Sequence, residues 1–404
     1  MTTLGGMDRI QRFADVVVRA GVNVQPGQGV ILRTDTAHLE IARAVVEAAY
    51  AAGAAWVEPL WTDGPMRRSA VTHSSLEQLT ATRGWALQRV REWSEEGIAA
   101  ITLLGDPNPH VLDGTDPAKA ASNRTGETRA MREATMGRLR WTAVGAPNPG
   151  WAEQVFGEPD TERLWEAVAT AMRLDAEDPA AAWQERAATL AGRASTLDAL
   201  ELTSIRYQGP GTDLTVGLIP GCIWTGGGMI DAAGVPYLPN IPTEEVFTSP
   251  DRLTAEGTLR VTKPLVLNGQ LVLGLRLVLS GGRIVEVSAD SGADAVRAQL
   301  DSDPGARFLG EVSLVDRDSR IARAGIVFHN TLFDENAGCH VAWGSSFPFA
   351  VPDGLAKSPA ERETLGLNSS TLHTDVVIGG DGITVTGTGP KGVTEIIRDE
   401  QWVL

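Results

Sequence analysis

The chain has 404 residues, 43% hydrophobic and 21% charged, an ordinary globular composition in a length that buries sizeable cores without staples. Its formal charge of −16 argues against nucleic-acid partners, whose phosphates call for basic patches. No apolar run reaches the roughly 20 residues of a membrane span, and Met1 to Met7 lacks a basic segment leading into an apolar one, so a cytoplasmic protein with no membrane partner is expected.

Arg9 to Ala20 has apolar residues about 3.6 positions apart, with Ile10, Phe13, Val16 and Val17 on one face, and predicts a helix. After the turn Pro26-Gly27-Gln28-Gly29, Val30-Ile31-Leu32 reads as a short buried strand. Leu39 to Ala52, closed by Gly53, predicts a second helix, and Trp56 to Leu60 a second strand. Ile98 to Leu104 and Leu139 to Val144 read as further buried strands, and the alanine-rich run Glu162 to Ala191 as helix. Strands separated by helical stretches imply an α/β domain over 1–195 with a largely parallel sheet flanked by helices.

The character changes near Ser195. Leu202 to Tyr207 and Leu214 to Leu218 bracket the turn Gly209-Pro210-Gly211, and Leu259 to Val287 reads as short strands joined at Asn268-Gly269 and Gly281-Gly282. Only Gly292 to Leu300, Asn336 to Trp343 and Pro359 to Gly366 look helical. An α+β domain over 196–404, rich in antiparallel sheet, is expected. There is no Gly-rich dinucleotide fingerprint, so no nicotinamide or nucleotide cofactor is expected. Cys222 and Cys339 form no CxxC pattern and read as neutral thiols.

The second domain concentrates residues that bind metals. His373-Thr374-Asp375 opens a β-branched apolar run, and i and i+2 of a strand share a face, so an imidazole and a carboxylate converge there. Such a pair also arises by chance. Glu335 and His340 flank a segment that could open a helix capped by Asp334; a spacing of five requires a turn between them, and a capped surface helix is the plain alternative. Glu311, between Gly310 and Val312, falls in a probable strand, either outward-facing or buried with a metal or partner. Glu244 and Glu245 lie between Pro242 and Pro250 in a loop; if that loop is extended they point to opposite sides, and only one can be a ligand. Three of the six histidines, His329, His340 and His373, accompany these carboxylates. Four carboxylates and two imidazoles exceed one structural zinc and suit two adjacent hydrolytic metals sharing a carboxylate.

The blocks Pro239 to Thr248, Gly310-Glu311-Val312, Asn330 to Asn336 with His340, and His373-Thr374-Asp375 resemble the aminopeptidase T family of thermophilic metalloaminopeptidases, as does the opening helix with Gly21 to Gln28. The resemblance implies metal ligands at Glu245, Glu311, Glu335, His340, His373 and Asp375, with Glu311 bridging two divalent ions such as zinc, cobalt or manganese. It also implies homodimers and release of N-terminal residues from short peptides. Glu244, beside a ligand, becomes the candidate general base. One position departs from the family pattern: seven residues after His340 a tyrosine is usual and Phe347 stands here, which keeps the ring and loses the hydroxyl donor. His329, where the family often has tyrosine, is a possible substitute. A specialised amidase or lactam hydrolase, and a binding protein without turnover, are the readings Phe347 keeps open. A mononuclear Fe(II) ring-cleaving dioxygenase using His340, His373 and Asp375 is another, though it leaves Glu245, Glu311 and Glu335 unpaired.

Overall fold

A computed structural model describes residues 6–122, 131, 139–231, 233–267, 270–380 and 382–404. The chain divides into two compact units, one of residues 1–185 with 228–242, the other of 186–227 with 243–404.

The first unit is built on a five-stranded sheet in the order Asn240–Ile241, Arg140–Gly145, Ala99–Leu104, Gly29–Asp35, Trp56–Thr62. Every neighbouring pair is parallel, as the alternation of strands and helices predicts. Helix Gly6–Val16 buries Phe13, Ala14 and Val16, then widens into a π-helical turn over Val17–Gly21. Phe13 meets Trp165 edge-on, with ring centroids 5.6 Å apart. The predicted helix Glu162 to Ala191 is two helices, Thr161–Ala171 and Pro179–Asp198. Turn residues 172–178 separate them, and Pro179 takes the first-turn position that proline favours in the second helix.

The second unit carries an eight-stranded antiparallel sheet and a five-stranded antiparallel sheet. The smaller runs His373–Val377, His340–Gly344, Leu309–Val315, Glu245–Thr248, Thr225–Gly226. Ile205, Tyr207, Leu214, Val216 and Leu259 of the larger sheet share one buried cluster with Val246, Val312, Leu314 and Trp343 of the smaller. The Tyr207 hydroxyl also donates to the Ser313 carbonyl, 3.3 Å away.

The units divide at 185/186, inside helix Pro179–Asp198 and ten residues before the expected change near Ser195. Residues 228–242 return to the first unit because Asn240–Ile241 pairs in parallel with Ala143 and Val144. Asn336 to Trp343 is not a helix: a 3-10 turn, Glu335–Ala337, ends at extended Gly338, and strand His340–Gly344 follows, buried throughout. A short apolar run buried on both faces has no periodicity to separate strand from helix. Asn268-Gly269 lies outside the described residues, although the strands flanking it, Leu265–Leu267 and Gln270–Val272, do pair antiparallel.

Candidate metal centre

The register of the five-stranded sheet assembles the site. Phe247 stands opposite Ser313 and Glu245 opposite Val315. Ser313 in turn stands opposite His340 and Glu311 opposite Ala342; Ala342 faces Asp375, and Gly344 faces His373. Directly opposed residues share a face, and so do i and i+2 along one strand. Glu245 with Phe247, Glu311 with Ser313, His340, and His373 with Asp375 therefore project from one face. The intervening Val246, Val312, Leu314, Val341, Trp343 and Val376 are buried on the other, in the core shared with the eight-stranded sheet. The same alternation that makes this core thus lines up the polar residues behind it.

Two groups of ligand atoms result, Glu245 with Glu311 and His340, and Glu311 with His373 and Asp375, each with its atoms within 4.8 Å of one another. His340 Nε2 lies 3.0 Å from Glu245 Oε2 and 3.7 Å from Glu311 Oε1. His373 Nε2 lies 3.0 Å from Glu311 Oε2 and 3.5 Å from Asp375 Oδ1. Glu311 thus turns one oxygen to each imidazole. Both rings are oriented from behind: Nδ1 of His340 is 3.2 Å from the Gly338 carbonyl, and Nδ1 of His373 is 2.8 Å from that of Ser345. A carbonyl only accepts, so each Nδ1 carries a hydrogen and each Nε2 is aimed at the carboxylates.

A neutral imidazole so aimed would put a lone pair against anionic oxygens unless a proton or a cation lies between them. Burial opposes charging His340, yet hydrogen bonds to Glu245 and Glu311 lift it well above the usual imidazole range. Asp375 and Glu311 do the same for His373 against its burial. Burial, then the charges of Asp375, Glu245 and Glu311, push Glu335 well above the usual carboxylate range, with His340 opposing. The cluster is thus short of positive charge, and its oxygen and imidazole donors suit a borderline divalent cation. The residues fit the metal that the sequence leads one to expect.

The expected ligands are not all equivalent here. Glu245, Glu311, His340, His373 and Asp375 come together as described. Glu335 belongs to neither three-residue group, but lies half-buried at the end of helix Thr331–Asp334, close enough to feel four of the five charges. Asp334 precedes the 3-10 turn Glu335–Ala337 but does not cap it through its side chain; its carboxylate accepts instead from the amides of Phe328 and Asn330. Asn330 caps helix Thr331–Asp334, accepting from the Leu332 amide at 3.2 Å. His329 sits half-buried in that loop with φ +52°, outside both ligand groups. The facial triad His340, His373 and Asp375 is split, since His340 groups with Glu245 and Glu311 and the other two group separately.

Glu244 and Glu245 are not solvated loop residues: Glu245 opens a strand, and both are buried. Extended backbone does send them apart. Glu244 meets the Arg186 guanidinium at 2.6 Å, and its amide donates to Asn336 Oδ1 at 2.6 Å. A general base must touch the water it deprotonates. Glu244 has no exposed surface, and its carboxylate is paired with Arg186.

Sequence reasoning missed Ser313, whose hydroxyl donates to Glu245 Oε2 at 2.7 Å. Its position two residues after Glu311 was the available signal. It also missed Arg186 and Asn336, and the aromatic rings that surround Phe347 beside His373. Phe347 lies 4.9 Å from the His373 ring, 5.2 Å from Phe247 and 5.1 Å from Phe349, centroid to centroid. The two cysteines are free, and burial pushes the thiols of Cys222 and Cys339 up to about 11 and about 12.

Residues 7–402 match the family described as thermophilic metalloprotease (M29). Aminopeptidase T of Thermus thermophilus is 37% identical over 404 residues, and aminopeptidase 2 of Geobacillus stearothermophilus 35%; each alignment covers 98% of both chains. The solved structure of wild-type AmpT from Thermus thermophilus superposes with a TM-score of 0.91 at 34% identity, covering 99% of this chain and 100% of that one.

Proposed function

The chain belongs to the thermophilic metalloprotease (M29) family, and from that premise we propose that it is a dinuclear aminopeptidase releasing N-terminal residues from short peptides. The observation that carries the second metal is Glu311, which belongs to both ligand groups and offers one oxygen to each. In this reading Glu245, Glu311 and His340 hold one ion, Glu311, His373 and Asp375 the other, and Glu335 completes the set. Bound divalent ions, zinc, cobalt or manganese, would supply an acidified water and polarisation of the scissile carbonyl.

The chain's own residues do the rest. The Gly338 and Ser345 carbonyls fix the imidazole rings, and the Ser313 hydroxyl fixes Glu245. Glu311 serves the reaction by holding both halves of the site in one geometry. The amidase or lactam-hydrolase alternative is favoured by Phe347 alone, and the split of His340 from His373 and Asp375 disfavours the iron dioxygenase. We further propose the homodimer implied by the family resemblance and a cytoplasmic setting; among the described residues no helix is long and apolar enough to cross a membrane.

The test is amino-acid release from a dipeptide panel after chelation and again after adding back Zn²⁺, Co²⁺ or Mn²⁺, with metal content measured alongside. Cleavage restored at two ions per chain is expected. Cleavage of no member under any metal would overturn the peptidase, and full activity at one ion would overturn the dinuclear site.

A further inference from the structure

We propose that Phe247, Phe347 and Phe349 form the subsite for the side chain of the substrate's N-terminal residue, and that the enzyme therefore favours aromatic and large aliphatic N-termini. The inference rests on the aminopeptidase reading above and names the substrate class of that site.

The three rings make one continuous patch. Phe347 and Phe349 stack at 5.1 Å with 22° between their planes, and Phe247 meets them edge-on at 5.2 and 6.2 Å. Aromatic pairs in these arrangements hold one another in place, so the surface exists before a ligand arrives.

The patch adjoins the ligand cluster at two points. Phe247 lies two residues after Glu245 on the same face of the same strand, so metal ligand and apolar ring project together. Phe347 rests against the His373 imidazole at 4.9 Å. Its backbone is pinned there, the amide donating to the buried Ser249 hydroxyl at 2.9 Å.

Each ring keeps part of its surface exposed, whereas the residues between and beside them, Ser346, Pro348 and Ala350, are buried. Rings left partly open beside a charged cluster offer a place for hydrocarbon, since covering them removes apolar surface from water. A peptide whose N-terminal amine and first carbonyl engage the cluster must put its first side chain within a few ångströms of it. Against this wall a phenyl or isobutyl group gains contact, a methyl group gains little, and a carboxylate loses hydration without a partner.

The test compares kcat/KM for Phe-Ala, Leu-Ala, Ala-Ala and Asp-Ala in the metal-loaded enzyme and in Phe349→Ala and Phe349→Leu. The Phe-Ala to Ala-Ala ratio is expected to be about tenfold or more, within the range hydrocarbon differences produce in apolar pockets. Phe349→Ala should bring the ratio down toward one, while Phe349→Leu, which keeps apolar volume, retains most of it. A ratio near one in the unmodified enzyme, or one unmoved by Phe349→Ala, overturns the subsite. If no dipeptide is cleaved, the aminopeptidase reading fails, and titration calorimetry with phenylalaninamide and alaninamide decides the subsite separately. Tighter phenylalaninamide binding that Phe349→Ala weakens supports it, and equal affinities overturn it.

Discussion

Glu311 touches His373 through Oε2, at 3.0 Å, and leaves Oε1 turned toward the other half of the site. One side chain therefore belongs to two ligand sets, and its loss should not resemble that of a residue belonging to one. Glu311→Ala is expected to lower the content of both metals together, whereas Asp375→Ala lowers chiefly one. Because removing even an outer partner of a ligand costs about 10–100-fold, kcat/KM should fall by at least that much in Glu311→Ala. Metal analysis of dialysed protein checks it; an unchanged metal content in Glu311→Ala would remove the bridge.

Phe347 invites a gain rather than a loss. Its ring rests on His373, but it has no hydroxyl to donate or to pass a proton. Positioned proton transfer contributes about 10²–10⁴-fold. Phe347→Tyr is accordingly expected to raise kcat by about tenfold or more, with a smaller change in KM, in a steady-state comparison on one dipeptide. An unchanged kcat would mean that proton transfer is served from elsewhere.

Much of this site is legible in the sequence because strands impose a two-residue period. His373 and Asp375 announce their shared face, and the isolated Glu311 in an apolar run announces a buried carboxylate that needs company. The partners across strands are another matter. Phe247 and Phe347 are a hundred positions apart, and neither lies in a pattern that points to the other. Arg186 reaches Glu244 from a helix whose composition gives no hint of it. The parallel sheet of the first unit follows from alternating strands and helices, but its edge strand Asn240–Ile241 is two residues long and has no period to read. Local spacing is written in neighbouring residues, and register between distant segments is not.

His38 gives the first unit a pH dependence separate from the metal cluster. It is almost fully buried, with Nε2 3.1 Å from Asn148 Nδ2 and Nδ1 3.5 Å from the Thr34 hydroxyl. Burial lowers its pKa, against the opposing charge of Asp35 and the Ala146 carbonyl. The unfolded chain takes up this proton near pH 6.5, while the folded chain holds off until lower pH. As pH falls through that window the unfolded state binds more protons, so stability declines on the acid side and is fully present above it. His38→Gln removes the titration. Between about pH 7.5 and pH 5 the urea midpoint of the unmodified protein should fall more than that of the variant. Parallel pH profiles would exclude the contribution.

Arg186 and Glu244 form a buried pair at 2.6 Å, with side chains 13% and 0% exposed, at the residue next to Glu245. Removing one partner of such a pair strands a charge in the interior, at a cost of about 3–5 kcal/mol. Replacing both with neutral groups of similar volume is often near neutral. Arg186→Met alone should therefore lower the urea midpoint sharply, and Arg186→Met combined with Glu244→Gln should recover most of it. The double variant also separates two roles for Glu244. A residue that only holds the chain beside Glu245, through the Asn336 contact to its amide, can lose its charge and leave turnover largely in place. A general base cannot, since its loss costs on the order of 10²-fold or more. A folded, metal-loaded double variant slowed to that degree would return Glu244 to the chemistry, and one with near-normal turnover would confine it to positioning.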